Sequence, residues 1–473
     1  MKVLLMTPPF VKGFMRNARW DVIGISGSDW FPIYLGYCAG LLEKHGHTAK
    51  LIDPQVENLS CEETYRIAQE FEPELIVFYY SRKVIDHDLK VAAELHRRTG
   101  GQILMVGPSA SIDPVGVLKL TDDIKLLGRG EFDFTVLDLA NKVPLNEIEG
   151  LYWKNAGGEV IENRMRPPAP AAALDEFPFV TDVYRRHLKI RNYRQTAHQY
   201  PLIDLFTGRG CAWGKCTFCL WPHTINKGAG YRIRNIKNVL EEFKFIKSEI
   251  PYVKEIFLQD DTMPKERGLE IAGGILESGL KICWSCYMRA TPDYDLPTLK
   301  LLKRSGCRTI HVGYESYSQE ILKTIKKGTS IKNMELFTTN ANKAGLFIVA
   351  DFITGLPGET VQTIKETIEW AKKLPVQRYT ITLPKPYPQT PLYDLLKKNN
   401  WLDENERPDY PELSSEEIYK WNKWSLKQVY LSPHYFFRMA LKPLEWDRIL
   451  RSAIFFLPHL ISEKGEQDNR LEW

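Results

Sequence analysis

The feature that most constrains the fold is a repeated alternation of short, continuous apolar runs with amphipathic stretches. In the first part of the chain the apolar runs are KVLLMTPP, TAKLIDP, ELIVFYY, QILMVGPSA and IKLLGRG, and the amphipathic stretches are YLGYCAGLLEKHG, DHDLKVAAELHRRTG and FDFTVLDLA. Apolar runs of this kind predict strands buried on both faces, as in a parallel sheet covered by helices. We therefore predict an α/β chain in which residues 1–145 form a doubly wound, Rossmann-like domain.

The alternation resumes after a proline-rich connector, NRMRPPAPAAALDEFPFV, which we assign to a linker over residues 146–198. Six further strands are predicted in LIDLFTGRGC, VKEIFLQDD, KICWSCYMR, RTIHVGYES, LFIVADFITGLPGE and RYTITLPKPYPQT. A helical segment precedes or follows each of them, which predicts a partial (β/α)6, TIM-like barrel over residues 199–400. Helical patterns dominate residues 401–473, so we expect a helical C-terminal region.

Composition and charge narrow the partners and the compartment. A net charge of +4 on 473 residues is too small to indicate nucleic-acid binding, which needs many Lys and Arg on one face. No stretch reaches the ~20 apolar residues of a membrane span, and the apolar run in MKVLLMTPPF is too short for a signal peptide. Eight cysteines without the spacing of exported domains favour a reducing cytoplasm, where clustered thiols are more often metal ligands than disulfides.

The segment GRGCAWGKCTFCLWPHT brings Cys211, Cys216 and Cys219 into one loop after the first barrel strand, at the rim where barrel enzymes keep their chemistry. Three thiolates on a four-iron cluster would leave one iron open for a substrate or cofactor, as catalytic zinc sites keep an open position. One alternative is that His223 completes a structural zinc site, giving a zinc-stabilised binding protein without turnover. The other, three unligated core thiols, is disfavoured by the glycines and charges in the loop.

Several further stretches are shared with a known family: GRGEFDFTVLDLA, IEGLYW, LDEFPFV, VGYES, IKKGTS, FITGLPGET and PYPQTPLY. Together with the cysteine triad they resemble the radical S-adenosylmethionine (SAM) enzymes that carry an N-terminal cobalamin-binding domain. Within that group, FPFVTDVYRRHLKIRNY, TGRGC, CTFCLWP and WSC are most similar to the hopanoid-biosynthesis-associated enzymes that form the cyclitol ether head group.

The resemblance implies three cofactors and a class of reaction. A 4Fe–4S cluster on Cys211, Cys216 and Cys219 would bind SAM through its open iron, and reduction would yield a 5′-deoxyadenosyl radical. That radical would abstract hydrogen from an unactivated carbon of a hydrophobic or lipid-linked substrate, since such a carbon offers no acidic proton to a general base. Cobalamin-dependent methyl transfer or a ring-forming rearrangement would follow. An electron donor such as flavodoxin or ferredoxin is the implied protein partner.

The resemblance also assigns residues of the barrel rim to SAM. They are Phe218 near the adenine; Gln259, Asp260 and Asp261 toward the amino group; Arg289 at the carboxylate; Glu315 at the ribose hydroxyls; and Gly355, Pro357 and Gly358 beside the adenine. Arg suits a carboxylate through charge-assisted hydrogen bonds, and a carboxylate can accept two hydroxyl groups at once. From the residues alone, Asp261 also fits a helix cap and Arg289 a surface cation.

For cobalamin, the candidates are the loops at the carboxyl ends of the first-domain strands, where doubly wound folds bind ligands. They are Pro8, Pro9, Tyr34, Leu35, Gly36, Ser81, Gly107, Pro108, Gly128, Gly130 and Glu131. The sequence contains no D-x-H-x-x-G string, the motif through which some cobalamin proteins supply a histidine to cobalt. We therefore expect bound cobalamin to lack that ligand.

Two features depart from the family pattern. The family spacing is C-x3-C-x2-C, whereas four residues, Ala212 to Lys215, separate the first two cysteines here. A loop that contains glycine can absorb one residue, so we expect a changed loop path rather than changed ligands. Gln389 stands where relatives tend to have glycine in PYPQT, which we expect to alter the turn.

Two further features bear on the substrate. Cys286 in WSCYMR is a candidate hydrogen donor or radical carrier, with a small core residue as the alternative. Near the C-terminus, YFFRMALKPLEWDRILRSAIFFLPHL interleaves aromatic residues with Arg and Lys, as in helices at a membrane interface. Pro443 predicts two short helices there, and packing across the barrel mouth is the alternative to membrane contact. We expect a cytoplasmic protein that contacts the inner face of the membrane.

Overall fold

The computed structural model describes residues 1–11, 14–16, 21–23, 27–440 and Trp446. The first domain is built on a seven-stranded sheet with strand order β4-β1-β5-β6-β7-β8-β9. The strands of this domain are β1 (Lys2–Met6), β2 (Phe14–Met15), β3 (Val22–Ile23), β4 (Thr48–Ile52), β5 (Leu75–Tyr79), β6 (Gln102–Val106), β7 (Leu126–Gly128), β8 (Leu151–Lys154) and β9 (Val160–Glu162). The two-residue strands β2 and β3 pair with each other and are not part of this sheet. The strands from β4 to β7 are parallel, which confirms the doubly wound prediction.

Helices cover both faces of this sheet. They are α1 (Ile33–Lys44), α2 (Cys61–Phe71), α3 (Ile85–Thr99), α4 (Pro114–Lys119) and α5 (Asp133–Ala140), and two more, α6 (Ala171–Leu174) and α7 (Val180–His187), lead to the second domain. Alternate residues of one strand feed two separate apolar cores: Leu75 and Val77 lie in one, and Ile76 and Phe78 in the other. Burial on both faces is the reason why these strands are continuous apolar runs.

The second domain is the predicted six-stranded parallel barrel, with strand order β10-β13-β14-β15-β16-β17. Its strands and the hairpin pair β11 and β12 are β10 (Leu202–Leu205), β11 (Gly208–Arg209), β12 (Arg232–Ile233), β13 (Glu255–Leu258), β14 (Trp284–Met288), β15 (Cys307–Glu315), β16 (Phe347–Ile353) and β17 (Arg378–Thr382). The helices between them are α8 (Ile236–Glu249), α9 (Lys265–Glu277), α10 (Leu296–Arg304), α11 (Gln319–Thr324), α12 (Ile331–Lys343) and α13 (Val361–Lys373). The open order of the strands makes the barrel partial, as expected.

Within the residues that the structure describes, three helices follow the barrel: α14 (Pro391–Lys398), α15 (Ser415–Tyr430) and α16 (Pro433–Ala440). Helix α15 packs on α13 and β17, so it covers one flank of the barrel. The break predicted at Pro443, and the aromatic residues beyond it up to Phe456, lie outside the described residues apart from Trp446. No helix in the described part of the chain has the length and apolar character that crossing a bilayer needs.

The sequence analysis missed some elements of the first domain. Helix α2 follows Ser60, whose side chain forms a capping box with Glu63, and this S-x-x-E pattern was a usable signal. The hairpin of β8 and β9 was assigned to the linker, but it adds antiparallel to β7. The sheet therefore continues past the predicted boundary at residue 145, because two short strands with mixed polarity carry little periodic signal.

Two helical glycines give a matched test of the packing between α1 and α7. A Cβ atom added at Gly36 in α1 would lie 2.7 Å from Tyr184 and 2.8 Å from Val180 of α7, whereas one at Gly273 in α9 would meet nothing within 4 Å. We expect Gly36→Ala to lower the free energy of unfolding by about 1–3 kcal/mol through overpacking. We expect Gly273→Ala to raise it by up to about 1 kcal/mol. Urea denaturation of both variants checks this, and equal effects would contradict the packing.

Candidate active site

The cysteine loop is held at its base by the hairpin of β11 and β12, in which Arg209 pairs with Arg232. Gly210, immediately before Cys211, has φ +93°, and a Cβ atom there would lie 2.0 Å from the carbonyl oxygen of Gly230. Only glycine fits this approach, so the hairpin fixes where the first cysteine leaves the sheet.

The three thiols of the loop form no disulfide, and Cys211 and Cys216 are close enough to Cys219 for their charges to raise its pKa. The amide N–H of Cys219 donates to the carbonyl of Cys216 at 3.3 Å. Burial raises the pKa of the Cys216 thiol, and Lys327 and Arg289 oppose that rise. Burial also raises the pKa of Cys219, and the neighbouring Cys216 raises it further. Three soft sulfur donors beside two cations suit a negatively charged iron–sulfur cluster that is held by three thiolates.

His223 does not complete a metal site in this arrangement. Its Nε2 lies 3.0 Å from the carbonyl oxygen of Cys216, to which it is placed to donate. Across the residues that the structure describes, no three His, Cys, Asp or Glu side chains are grouped so that they could hold a single metal ion. The zinc-stabilised alternative therefore gains no support.

The extra residue between the first two cysteines is accommodated by Trp213. Its indole N–H donates to the carbonyl of Lys326 at 2.9 Å, and the Arg289 guanidinium lies 4.4 Å from its ring centroid. A Cβ atom at Gly328 would lie 2.0 Å from the Trp213 ring, so a glycine is required beneath it. The longer loop thus packs Trp213 onto the turn after α11, a contact that the sequence analysis did not anticipate.

Arg289 and Glu315 stand beside the thiols at the carboxyl ends of β14 and β15. The Arg289 Nε is buried and has no partner among the described atoms, while its Nη2 donates to the carbonyl of Lys327. Glu315 has φ +64° and its carboxylate lies 2.6 Å from the Lys327 ammonium. A buried donor left without an acceptor fits the carboxylate assigned to Arg289. Lys327 was not singled out from the sequence, although it lies in IKKGTS.

The three residues after β13 that were assigned to the SAM amino group, Gln259, Asp260 and Asp261, have different surroundings. The Asp260 carboxylate accepts the amide N–H of Thr207 at 2.7 Å and is also bonded by the hydroxyls of Thr207 and Tyr231, so it ties β13 to β10. Gln259 donates to Asp204 at 3.2 Å. Asp261 accepts from Asn226 at 3.3 Å, and its charge raises the pKa of Cys219. Of the three, Asp261 is the one beside the thiols.

The loop from Gly355 to Glu359 is closed on itself. The Glu359 carboxylate accepts the amide N–H groups of Gly355 and Leu356, and burial raises its pKa to about 8. Gly355 has φ +100°, which glycine adopts readily, and Pro357 and Gly358 complete the turn. Phe218, from the cysteine loop, packs on the apolar cluster of the C-terminal helices. The loop from Gly355 to Glu359 and the Phe218 ring therefore line one side of the barrel rim.

Part of the predicted cobalamin set lines a small cavity between the domains. Its walls include Tyr80, Ser81 and Pro108 from the first domain, and Leu220 and Tyr387 from the barrel. The Tyr80 hydroxyl is buried without a hydrogen-bond partner among the described atoms. The Ser81 hydroxyl donates to Asp21. A buried, unsatisfied hydroxyl at the carboxyl ends of the strands fits a polar cofactor in this crevice.

The remaining cobalamin candidates have other surroundings. Pro8, Pro9 and Leu35 are buried, Gly36 packs on α7, and Tyr34 stacks on Trp221 with 5.5 Å between ring centroids. Gly107 has φ +112°, Gly128 packs near Val106, and the Gly130 N–H donates to Ser111 at 2.9 Å. Of these, Gly107 adjoins the lined cavity, whereas Leu35 and Gly36 serve packing because α1 faces α7.

Glu131 forms an ion pair with an arginine of the barrel, and so does Asp133, two positions further along the chain. The Arg232 guanidinium donates to Glu131 at 3.0 Å, and Arg209 donates to Asp133 at 2.7 Å and 3.3 Å. All four side chains are nearly fully buried, and the Arg209 guanidinium lies 5.0 Å from the Phe177 ring. These ion pairs join GRGEFD of the first domain to both ends of the cysteine loop. Sequence reasoning missed both arginines, because their partners are far away in the chain.

Cys286 lies on the side of β14 that faces away from the barrel lumen. It is fully buried in the apolar core, and its thiol is free and lies within hydrogen-bond distance of the Cys307 thiol. Its neighbours Ser285 and Tyr287 contact His198 and His311 on the opposite side of the strand. Because side chains of a strand alternate between faces, this position does not suit the suggested role as a hydrogen donor.

Comparison with known proteins gives two domain matches, a B12 binding domain over residues 11–137 and the Radical SAM superfamily over residues 205–371. The uncharacterised methyltransferase PH0819 of Pyrococcus horikoshii is 29% identical over 412 residues, which cover 85% of this chain and 84% of the relative. The cytidylyl-2-hydroxyethylphosphonate methyltransferase of Streptomyces wedmorensis is 26% identical over 410 residues, which cover 72% and 73%.

A solved structure shares the fold of both domains. It is the radical SAM methyltransferase TsrM from Kitasatospora setae with cobalamin and a 4Fe–4S cluster bound, with a TM-score of 0.65 at 17% identity, and it covers 84% of this chain and 78% of that chain. The doubly wound domain lies in the B12-binding match, and the three-thiol barrel loop lies in the Radical SAM match. The protein is a radical SAM enzyme with a B12-binding domain, and its cofactors are a 4Fe–4S cluster, SAM and cobalamin.

The buried ion pair of Arg209 can be tested against an exposed one. We expect Asp133→Asn to lower the free energy of unfolding by about 3 kcal/mol, because it removes the closer of the two carboxylates that neutralise the buried Arg209 guanidinium. As a control, Asp182→Asn removes the partner of the more exposed Arg186 and should cost at most about 1 kcal/mol. Urea denaturation measures both values, and similar losses would contradict the importance of the buried pair.

Proposed function

We propose that the protein transfers a methyl group to an unactivated carbon of a lipid-linked substrate whose polar head enters the barrel lumen. Methyl transfer is supported by the names of the two sequence relatives and of the structural relative, all of them methyltransferases. When bound, the cluster and SAM supply the radical chemistry and cobalamin carries the methyl group. Ring formation, which the hopanoid-type resemblance implies, is the outcome that methyl transfer has to be distinguished from.

The proposal rests mainly on one observation. Three thiols and an arginine with a buried N–H that has no hydrogen-bond partner among the described atoms are found at the same rim of the barrel. In this assignment Arg289 binds the SAM carboxylate through the Nε that has no partner among the described atoms. Glu315 accepts the ribose hydroxyls, with Lys327 holding its carboxylate in place at 2.6 Å. Asp261 contributes negative charge toward the amino group, and Phe218 packs near the adenine.

The same side chains control charge near the thiols. Arg289 and Lys327 lie beside Cys216, where their positive charges favour thiolates and would balance the negative charge of a bound cluster. An electron has to reach this rim from outside, so a flavodoxin or ferredoxin is the proposed donor. The partly buried rim around Cys211 is the surface for that contact, since an electron donor must come close to the metal that it reduces.

The lipid-linked substrate is supported by exposed aromatic residues on α16. Phe436 and Phe437 are 59% and 71% exposed, and Leu431 at the end of α15 is 52% exposed. Aromatic rings at such positions suit the head-group layer of a membrane. Arg438, counted among the membrane-facing cations, instead donates to the carbonyl of Lys372 at 2.9 Å and anchors α16 to the barrel.

The reaction is tested by the products formed from SAM. Anaerobic protein reconstituted with iron, sulfide and cobalamin should form S-adenosylhomocysteine in step with its bound cobalamin, together with 5′-deoxyadenosine. Cys219→Ala should abolish both products and the bound iron, because one of three cluster ligands is lost. Chromatography and iron counting provide the measurements.

Cys286→Ala is the matched control, since it removes a buried thiol on the far face of the sheet and should keep iron and both products. Formation of 5′-deoxyadenosine without S-adenosylhomocysteine would contradict methyl transfer and favour ring formation. A colourless protein that binds zinc and not iron would contradict the enzyme itself.

Membrane contact is tested with vesicles. We expect the protein to sediment with vesicles that contain anionic lipid, and Phe436→Ala combined with Phe437→Ala should reduce the bound fraction at least several-fold, because two inserted rings are lost. Leu276→Ala, on the exposed face of α9, serves as the control for an unrelated apolar residue. Equal binding by both variants would contradict a role for α16.

A further inference from the structure

The segment that contains the cysteine loop is rich in positive charge. Residues 205–240 include six Lys and Arg and no Asp or Glu. Arg209, Arg232 and Arg234 are buried in ion pairs with carboxylates that come from outside this segment. Lys215, which lies between the first two cysteines, is instead exposed. The cysteine loop therefore presents a positive charge at the protein surface.

The turn after α11 places further lysines beside the loop. Two hydrogen bonds hold this turn against the loop: the Thr217 amide N–H donates to the carbonyl of Ile325 at 3.0 Å, and the Trp213 indole N–H donates to the carbonyl of Lys326 at 2.9 Å. The Lys326 side chain is exposed, and so is that of Lys323, whose carbonyl accepts the Lys326 amide N–H at 3.0 Å. The exposed lysines of the turn thus lie on a segment that contacts the loop.

These lysines are not neutralised within the described part of the chain. No described carboxylate forms an ion pair with Lys215, Lys323 or Lys326. Glu320 is the single acidic residue between positions 316 and 331. The three lysines and the tryptophan beside them therefore form a surface with an excess of positive charge, which we call the lysine surface: Lys215, Lys323, Lys326 and Trp213.

Trp213 is fixed between two cations on this surface. The Lys215 ammonium lies 5.0 Å from the centroid of the Trp213 ring, and the Arg289 guanidinium lies 4.4 Å from it. Cation–π contacts of this kind restrict the orientation of the ring. The ring is only half-buried, so part of it stays accessible. A fixed and accessible tryptophan is among the residues that contribute most to binding energy at protein interfaces.

The lysine surface lies next to the first thiol. Gly214, with φ +61°, directs its amide N–H to the Cys211 sulfur at 3.4 Å. The residues between the first two cysteines therefore fold back toward that thiol, and Trp213 and Lys215 flank the glycine. A protein bound to Trp213 and Lys215 would be close to Cys211, which is the approach that electron transfer to a cluster on these thiols requires.

We propose that the lysine surface is the docking site of a flavodoxin, with Trp213 against the edge of its flavin. This inference rests on the proposed function, which needs an electron donor, and adds the surface and the kind of donor. A flavodoxin is a small acidic protein that holds its flavin beyond the carboxyl ends of its strands. Its negative charges match the lysines, and an aromatic flavin edge can pack on the indole ring.

The step at this interface is the transfer of one electron. The reduced flavin is oxidised by one electron, the cluster is reduced by one electron, and no bond forms or breaks between the two proteins. Opposite charges speed the encounter and fix the orientation of the complex more than they add to its affinity. We therefore expect a weak complex that depends strongly on salt, as is typical of redox partners with small interfaces.

Charge reversal tests the surface, with cluster-reconstituted protein and a flavodoxin as the probe. Lys215→Glu combined with Lys326→Glu should weaken flavodoxin binding about tenfold or more, because two attractive contacts become repulsive. Lys281→Glu combined with Lys300→Glu is the matched control, since both lysines are exposed, lie before β14 and on α10, and give the same change in net charge. Calorimetry at about 0.05 M and about 0.5 M salt measures the affinities, and the natural complex should weaken at the higher value.

Carbodiimide cross-linking, which joins an ammonium group to a carboxylate with loss of water, locates the contact. Mass analysis should find Lys215, Lys323 or Lys326 joined to carboxylates of the flavodoxin, and Lys281 should not be joined. Cross-links confined to other lysines, or equal binding by the two double variants, would overturn the proposal. Binding of a ferredoxin in preference to the flavodoxin, with the same dependence on Lys215 and Lys326, would overturn the choice of donor.

The electron source separates this inference from the proposed function. For each protein, the rate of 5′-deoxyadenosine formation with reduced flavodoxin is divided by the rate with dithionite, a small reductant that needs no docking. This ratio should fall about tenfold or more in Lys215→Glu with Lys326→Glu and stay unchanged in the control. Equal losses with both reductants would overturn the docking role. Failure of the natural protein to form S-adenosylhomocysteine with dithionite would count against the proposed function, while binding and cross-links would still decide the docking site.

Discussion

Two buried ion pairs hold the cysteine loop against the first domain, and the rest of the site depends on them. Arg209 and Arg232 lie on the two strands that flank the loop, and their partners, Asp133 and Glu131, come from a single turn of the first domain. Bringing four charged groups out of water is costly unless each is closely paired, so only one docking geometry of the domains satisfies them. That geometry sets the carboxyl ends of the first sheet opposite the barrel rim. The cavity lined from both domains is a direct result.

Charge is distributed unevenly along the barrel axis. At the rim, Arg289 and Lys327 stand beside the thiols, and Glu315 is held by Lys327. At the far end, Glu255 and the two imidazoles of His198 and His311 form a chain that reaches the lumen. The cations therefore lie at the rim, and the buried imidazoles lie at the amino-terminal end of the strands.

Most strands, most of the helices between them and the identity of the thiol loop were predictable, because each depends on residues close together in the chain. Continuous apolar runs indicated parallel strands in both domains, and three cysteines in nine residues indicated a cluster loop. The hairpin of β8 and β9 was missed because its strands are short and partly exposed. The assignment of Glu131 to cobalamin overlooked Arg232, which lies about a hundred residues further along the chain and gives no local signal. Cys286 was suggested as a reactive thiol because the register of β14 was unknown.

The sequence by itself determined the order of elements, the two domain types and the three sulfur donors, since periodicity and spacing act within a few residues. The tertiary structure alone decided which side chains meet: Asp133 with Arg209, Trp213 with the turn at Gly328, and Glu255 with His198. Each of these contacts joins residues separated by at least fifty positions, and its geometry follows from strand register and domain docking. A one-residue change of register would move His311 to the other face of its strand, which is why its contact with His198 becomes visible only in the folded protein.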